Sequence, residues 1–266
     1  MLLSSELIGY PAGARVLIVN CDDFGMSATV NAAVIRAVEE GIATSCSLMV
    51  PCPAAPQAMA LLKDRPHVPF GIHLTLVCDT GDRSWGPLTA HERVPSLLDD
   101  DGALVTPGRT AELLARARID EVELEFRAQI DAVLAAGLAP THVDWHCLAD
   151  GGRDDIFDLT LALADEYGVA LRVWRETNYR KARRVGRPAV DHPFLDSFNT
   201  DQTRYAELLR AVPPGLSEWA VHPGAATDPG GEIRRTDLDF LVSPAAREIV
   251  RREGIILIDY RFAPPA

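Results

Sequence analysis

The chain has 266 residues, of which 47% are hydrophobic and 24% are charged, and its formal net charge is −12. This length and composition predict a globular protein with a single domain over residues 1–266. The acidic balance argues against nucleic acid or an anionic membrane as a partner, because both are bound through an excess of lysine and arginine. No signal segment and no apolar stretch of about 20 residues is found, so a cytoplasmic protein is expected.

Short apolar runs alternate with amphipathic stretches along the chain. The expected strands cover residues 15–20, 44–50, 70–76, 142–144, 170–174, 218–221 and 255–259. The expected helices cover residues 27–40, 54–62, 110–136, 156–167, 203–211 and 244–252. Because strands and helices alternate without a break in composition, we expect a parallel α/β barrel of the TIM type.

Two longer irregular segments, 78–107 and 176–200, are expected to be loop excursions from the barrel. The second contains the basic run 180–187, for which a solvated loop is favoured over contact with an anion or substrate. The five cysteines have irregular spacing and no CxxC pair, which predicts neither a disulfide framework nor a thiolate zinc site. They are Cys21, Cys46, Cys52, Cys78 and Cys147.

Aspartate and histidine residues fall at the carboxyl ends of four expected strands. They are Asp22 and Asp23 after the first strand, His73 in the third, His142, Asp144 and His146 in and beyond the fourth, and His222 at the end of the sixth. Carboxyl ends of parallel barrel strands converge on one face, so these side chains are expected to meet there. Two histidines and one carboxylate suit zinc or another first-row divalent ion.

Each of these groups also has a purely structural interpretation when it is taken singly. The pair Asp22 and Asp23 could cap the helix that begins near Ser27, and His73 could be a hydrogen-bonded core residue. His222, before a Pro-Gly pair, could be a turn residue. The whole constellation favours a metal site, although not all of these residues need bind the metal.

The ordered motifs resemble those of the YdjC/ChbG family of carbohydrate deacetylases over about residues 15–260. The matching motifs are Val19-Asn-Cys-Asp-Asp-Phe-Gly-Met-Ser27, Gly41-Ile-Ala-Thr-Ser45, Leu48-Met-Val50, Gly71-Ile-His-Leu74, Thr141-His-Val-Asp-Trp-His146 and Val221-His-Pro223. The chain departs from the family pattern at Cys147, where a histidine-rich run often continues, and at Pro51, where a polar residue is usual.

The resemblance implies a TIM-barrel-like fold, one divalent cation and removal of acetyl groups from N-acetylated sugars. Zinc or magnesium is the expected cation. Carried over by motif, Asp23, His73 and His146 would be the metal ligands. Asp22 would be the general base and His222 the general acid.

Arg172 matches an arginine position of the family that orients either the base or the substrate, and we assign it to substrate binding. The expected partner is a small N-acetylated sugar or oligosaccharide, and a homodimer is the base-rate expectation. Two alternatives stay open. One is a related barrel metal-amidohydrolase that acts on another amide or a lactam, and the other is a non-catalytic sugar-binding protein.

Overall fold

The computed structural model of the protein describes residues 2–81, 83–174, 176–184, 187–192 and 195–262. The strands are β1 (Arg15–Phe24), β2 (Ser45–Leu48), β3 (Phe70–Leu74), β4 (His142–Trp145), β5 (Ala170–Leu171), β6 (Gly215–Val221) and β7 (Ile256–Leu257). The α-helices are α1 (Ser4–Leu7), α2 (Ala28–Glu40), α3 (Ala55–Asp64), α4 (Thr110–Arg116), α5 (Ile119–Ala135), α6 (Asp154–Glu166), α7 (Glu176–Arg184), α8 (Tyr205–Arg210), α9 (Gly231–Leu241) and α10 (Pro244–Arg252). Among the described residues, no helix combines the length and the apolar character that a bilayer crossing requires.

The strands form one parallel sheet in the order β5-β4-β3-β2-β1-β6, and β7 pairs with the first half of β1. This arrangement is a parallel α/β half-barrel, which confirms the predicted TIM-barrel-like class. The central strand β1 is buried almost throughout, as its nearly continuous apolar run predicts for a strand covered on both faces. The carboxyl ends of the strands therefore meet at one rim, where the candidate site lies.

Helix α2 shows how the sequence sets the outer layer. Its N-cap is Ser27, whose hydroxyl accepts a hydrogen bond from the Val30 amide at 3.1 Å. The buried face of the helix carries Val30, Val34 and Ala37 and packs against the sheet. The predicted helix over 27–40 is confirmed within one residue.

Several predicted boundaries are wrong, each for a local reason. Strand β1 continues to Phe24, so Asp22 and Asp23 lie within the strand and not after it. The predicted helix 110–136 is interrupted between α4 and α5, where the Arg118 amide donates a hydrogen bond to the Ser96 hydroxyl at 2.9 Å. Helix α9 was not predicted, because two of its three buried residues, Arg234 and Asp237, are charged and do not mark a buried face in the sequence.

The two expected excursions differ in content. Segment 78–107 contains short 3₁₀ turns and packs its Trp85 near Met49. The other excursion includes α7, so much of the basic run is helical and not a loop. Lys181 binds Asp158 at 2.9 Å, and residues 185 and 186 of the run lie outside the described residues.

Candidate active site

A local irregularity in β1 presents two adjacent carboxylates to the same place. Neighbouring residues of a regular strand point to opposite faces. In β1, however, the register with β2 shifts between Cys21 and Phe24, and Asp23 has a left-handed backbone with φ of 66°. As a result, His73 Nε2 lies 3.9 Å from Asp22 Oδ2 and 3.6 Å from Asp23 Oδ1.

The Asp23 carboxylate lies between two imidazoles. Its Oδ1 atom is 3.6 Å from His73 Nε2 and 3.2 Å from His146 Nδ1, and the three ligand atoms lie within 4.8 Å of one another. The same Oδ1 atom is buried and has no hydrogen-bond partner among the described residues. Buried polar atoms are normally satisfied, so an unpaired oxygen facing two imidazole nitrogens fits a bound cation.

The orientation of His73 is fixed from behind. Its Nδ1 atom is 2.7 Å from Asp144 Oδ1, which leaves Nε2 to face Asp23. Asp144 also accepts a hydrogen bond from the Ser47 hydroxyl at 2.6 Å. Asp22, His73 and Asp144 are close enough to form another ligand group. Since the Asp144 oxygens are already engaged, the group around Asp23 is the better metal site.

His142 lies deeper in the barrel, away from the cavity. Its Nε2 atom is 3.1 Å from the Ser47 hydroxyl, and its ring stacks on Tyr260 with centroids 3.8 Å apart. Gly71 of β3 leaves the space for this ring, because a Cβ there would come within 2.4 Å of it. Burial lowers the pKa of His142, which favours the neutral imidazole.

Arg172 holds the Asp22 carboxylate. Its guanidinium donates to both Asp22 oxygens, at 2.9 and 2.7 Å, and to Glu218 Oε1 at 2.7 Å. Asn20 donates a further hydrogen bond to Asp22 Oδ1 at 2.7 Å. Burial acts to raise the pKa of Asp22, but Arg172 and then His73 oppose it, and the net shift is downward. Asp22 is therefore ionised near neutral pH.

Glu218 of β6 lies on the far side of Arg172. It contacts the Tyr260 hydroxyl as well as the guanidinium. Burial raises the pKa of Glu218 to about 7, although Arg172 acts in the opposite direction. The charge on this side of Arg172 consequently changes near neutral pH.

His222 stands at the end of β6 with one ring nitrogen toward the site. Its Nδ1 atom is 2.9 Å from the Ser197 hydroxyl, and its Nε2 atom is 3.9 Å from Asp22 Oδ2. The backbone amide of His222 donates to Asp237 Oδ2 at 2.8 Å. These contacts fix the ring so that Nε2 faces the cavity.

Arg234 of α9 supplies the positive charge next to Asp23. It is fully buried, donates to Asp23 Oδ2 at 2.6 Å, and lies 5.3 Å above the Phe198 ring. Burial alone would raise the pKa of Asp23, but Arg234 and His146 hold it well below its usual range.

A cavity of about 580 Å³ opens above these groups. Asp22, Asp23, His73, His146 and His222 lie along its wall. The aromatic side chains that line it are Trp145, Trp174 and Phe198. A polar floor with aromatic walls suits a small ligand that has both polar and apolar surfaces.

The structure brings together every site residue that the sequence suggested except His142, which lies below the cavity. Sequence reasoning missed Asn20, Ser197, Glu218, Arg234 and Asp237. Asn20 and Glu218 carried a signal, since a polar side chain in an otherwise apolar strand indicates a buried polar contact. The other three lie in segments where their spacing indicates no chemistry.

Comparison with known proteins adds a separate observation. Carbohydrate deacetylases from Geobacillus stearothermophilus and Brevibacillus brevis are 32% and 39% identical to this chain. The aligned parts cover 93% and 92% of this chain and 97% and 98% of those proteins. A chitooligosaccharide deacetylase from Serratia marcescens is 30% identical over 91% of this chain and 97% of its own.

A solved structure and a family profile also match this chain over most of its length. The crystal structure of an Enterococcus faecalis V583 protein, whose name proposes cellobiose-phosphate cleavage, has a TM-score of 0.82 and 25% identity. The match covers 94% of this chain and 100% of that one. The profile of YdjC-like proteins matches residues 16–252. With most of its length inside that match, the chain belongs to the YdjC-like family.

Proposed function

We propose that this protein is a metal-dependent carbohydrate deacetylase, which hydrolyses the acetyl amide of N-acetylated sugars. The observation that carries the proposal is the unpaired Asp23 oxygen facing His73 and His146, beside an Asp22 carboxylate held by Arg172. The relatives named carbohydrate deacetylase support the same activity.

Asp23, His73 and His146 would hold the metal. Two imidazole nitrogens and one carboxylate oxygen favour zinc over magnesium, which prefers oxygen ligands. When bound, a divalent cation supplies Lewis-acid polarisation of the amide carbonyl and lowers the pKa of water. The Asp144 carboxylate keeps the His73 ring in the orientation that this role requires.

Asp22 is the proposed general base. It is ionised near neutral pH, and it lies beside the ligand cluster with its own oxygens directed by Arg172 and Asn20. A carboxylate in this state can accept the proton of the attacking water. Arg172 is 4% exposed and its donors are committed to carboxylates. Its contacts therefore support orientation of the base over direct binding of substrate.

His222 is the proposed general acid. Its Nε2 atom faces the cavity on the Asp22 side, and Ser197 anchors the other nitrogen. A proton delivered from Nε2 would leave with the amine, which is otherwise a poor leaving group. The aromatic walls of the cavity would pack against the apolar faces of a sugar ring.

The test is acetate release from N-acetylglucosamine oligomers together with metal analysis of the purified protein. We expect acetate to form and about one equivalent of divalent metal to be bound. His73→Ala should lower metal content and activity, whereas His67→Ala, at an exposed position, should lower neither. Metal content unchanged in His73→Ala would remove His73 from the site.

The alternatives give different results in the same assay. A related amidohydrolase would bind the metal but release no acetate from any N-acetylated sugar, and would hydrolyse other amides or lactams. A non-catalytic sugar-binding protein would bind the oligomers without hydrolysing them. Either result would replace the proposed activity.

A further inference from the structure

A second group of potential metal ligands lies on the outer side of His146. The His146 Nε2 atom is 3.3 Å from Cys147 Sγ and 3.7 Å from Asp79 Oδ1. Each of the three residues offers one ligand atom, and these atoms lie within 4.8 Å of one another. With zinc bonds of roughly 2.3 Å to sulfur and 2.0 Å to nitrogen, tetrahedral ligands would be separated by roughly 3.5 Å, which is close to the two distances from His146 Nε2. We propose that Asp79, His146 and Cys147 form a second site, selective for a thiophilic divalent cation such as zinc or cadmium.

The carboxylate at this position has an unused acceptor. Asp79 Oδ1 is buried and has no hydrogen bond among the described residues, although it faces the His146 ring. A buried carboxylate oxygen without a donor is normally compensated by a cation or by water. The second site is thus supported by the same observation as the first, a buried carboxylate oxygen without a hydrogen bond among the described residues. Asp23 faces Nδ1 of the His146 ring, and Asp79 faces Nε2.

The thiol is the other distinguishing feature. Cys147 is exposed, whereas the remaining four cysteines are buried. Its backbone has a φ of 57°, a left-handed conformation that brings Sγ beside the imidazole of the preceding residue. Cys147 therefore presents an accessible sulfur next to a nitrogen ligand, inside the wall of the substrate cavity.

The two sites share one ring through different atoms. His146 Nδ1 faces Asp23 and Nε2 faces Cys147, so both sites would use the same ring. Two cations held by one ring would repel each other, so the second site is expected to bind more weakly than the first. It fills when a thiophilic metal is in excess.

The donor atoms give the second site its own selectivity. The first site offers two nitrogens and one oxygen, which also accept manganese, whereas a thiolate favours zinc and cadmium. Because Asp79, His146 and Cys147 line the cavity, a cation held there narrows the path to Asp22. We therefore expect excess zinc to inhibit hydrolysis through Cys147.

Cadmium titration of the metal-free full chain tests the proposal, with thiolate-to-cadmium charge-transfer absorption as the readout. Wild-type protein should bind two equivalents, one of which produces the absorption. Cys147→Ser should bind one equivalent without the absorption, and Asp79→Asn should bind the absorbing equivalent more weakly than the wild type, because an amide replaces the charged oxygen ligand. Manganese should bind wild-type protein in one equivalent only.

His73→Ala separates the two sites in the same titration. It should keep the absorbing equivalent and lose the other, and this result would stand even if the first site has no catalytic role. Absence of charge-transfer absorption in wild-type protein, or its persistence in Cys147→Ser, would overturn the second site. A fall in hydrolysis between one and two equivalents of zinc in wild-type protein, reduced in Cys147→Ser, would support the inhibitory effect. An equal fall in both would refute that effect.

Discussion

Two neighbouring carboxylates in β1 are held in opposite ways. Both Asp22 oxygens accept hydrogen bonds from Arg172, whereas Asp23 has one oxygen on Arg234 and one with no hydrogen bond among the described residues. A buried ionised carboxylate needs compensating charge and donors within reach. Asp22 has positive charge and hydrogen-bond donors at both of its oxygens. Among the described residues, Asp23 has a hydrogen-bond donor at one oxygen only. This difference separates a group prepared to accept a proton from a group prepared to bind a cation.

The largest effect is expected from Asp22→Asn, which removes the proton acceptor and leaves the Asp23 region intact. The turnover number should fall about 100- to 10,000-fold, the usual contribution of a general base. Metal content should stay at the wild-type level. The two quantities are measured on one preparation, with Asp64→Asn at an exposed position as the control. Full activity of Asp22→Asn would show that the two carboxylates do not differ in this way.

Arg172→Met tests whether the protein itself compensates the charge of Asp22, without a bound cation. The guanidinium contacts Asp22, Asp144 and Glu218, so its removal leaves buried carboxylates without their counter-charge. The free energy of unfolding should fall by about 3–5 kcal/mol, measured by urea denaturation. Added zinc should stabilise the variant and the wild type alike, so the difference between them should persist. Disappearance of this difference in zinc would contradict the comparison.

Arg234→Met tests whether Asp23 depends on a bound cation for part of its charge compensation. The metal-free variant should also lose stability, because Asp23 is left buried without its guanidinium. A cation bound at Asp23 replaces that charge, so zinc should raise the melting temperature of this variant more than that of the wild type. The measurement is a thermal scan with and without zinc. An equal or smaller rise would show that Arg234 does not compensate Asp23.

Glu218→Gln is expected to have the smallest effect. It tests the Asp22 side of the site through the pH dependence of the free energy of unfolding. The pKa of Glu218 is raised from 4.5 to about 7, so the folded protein holds this proton more tightly than the unfolded chain does. The resulting stability is present below pH 4.5 and is lost as the pH rises through 7.

At pH 8 the Gln variant should be more stable than the wild type by up to about 3 kcal/mol, since it has no proton to lose. Urea denaturation across this pH range measures the difference, and the exposed Glu92→Gln is the matched control. Equal pH dependence in wild type and Glu218→Gln would exclude the raised pKa.

The sequence indicated the proposed metal ligands better than it indicated the residues that hydrogen-bond to them. Asp23, His73 and His146 could be expected to meet, because a parallel sheet sends the carboxyl ends of its strands to one rim. Their roles as ligands stay predictions, as do the single domain and the homodimer. Arg234 could not be found, because α9 has a polar sequence and nothing in its spacing distinguishes a buried arginine from a solvated one. The irregular backbone of β1 at Asp23 could not be predicted from the sequence either.

Tyr260 follows β7, yet it stacks on His142 and contacts Glu218 in the interior of the barrel. His142 and Glu218 are therefore translated before the residue that covers them. Until the ribosome has passed residue 260, both buried polar groups lack this partner. A chain that stalls before residue 260 would consequently remain a target for chaperones and proteases, even with every proposed ligand and catalytic residue already made.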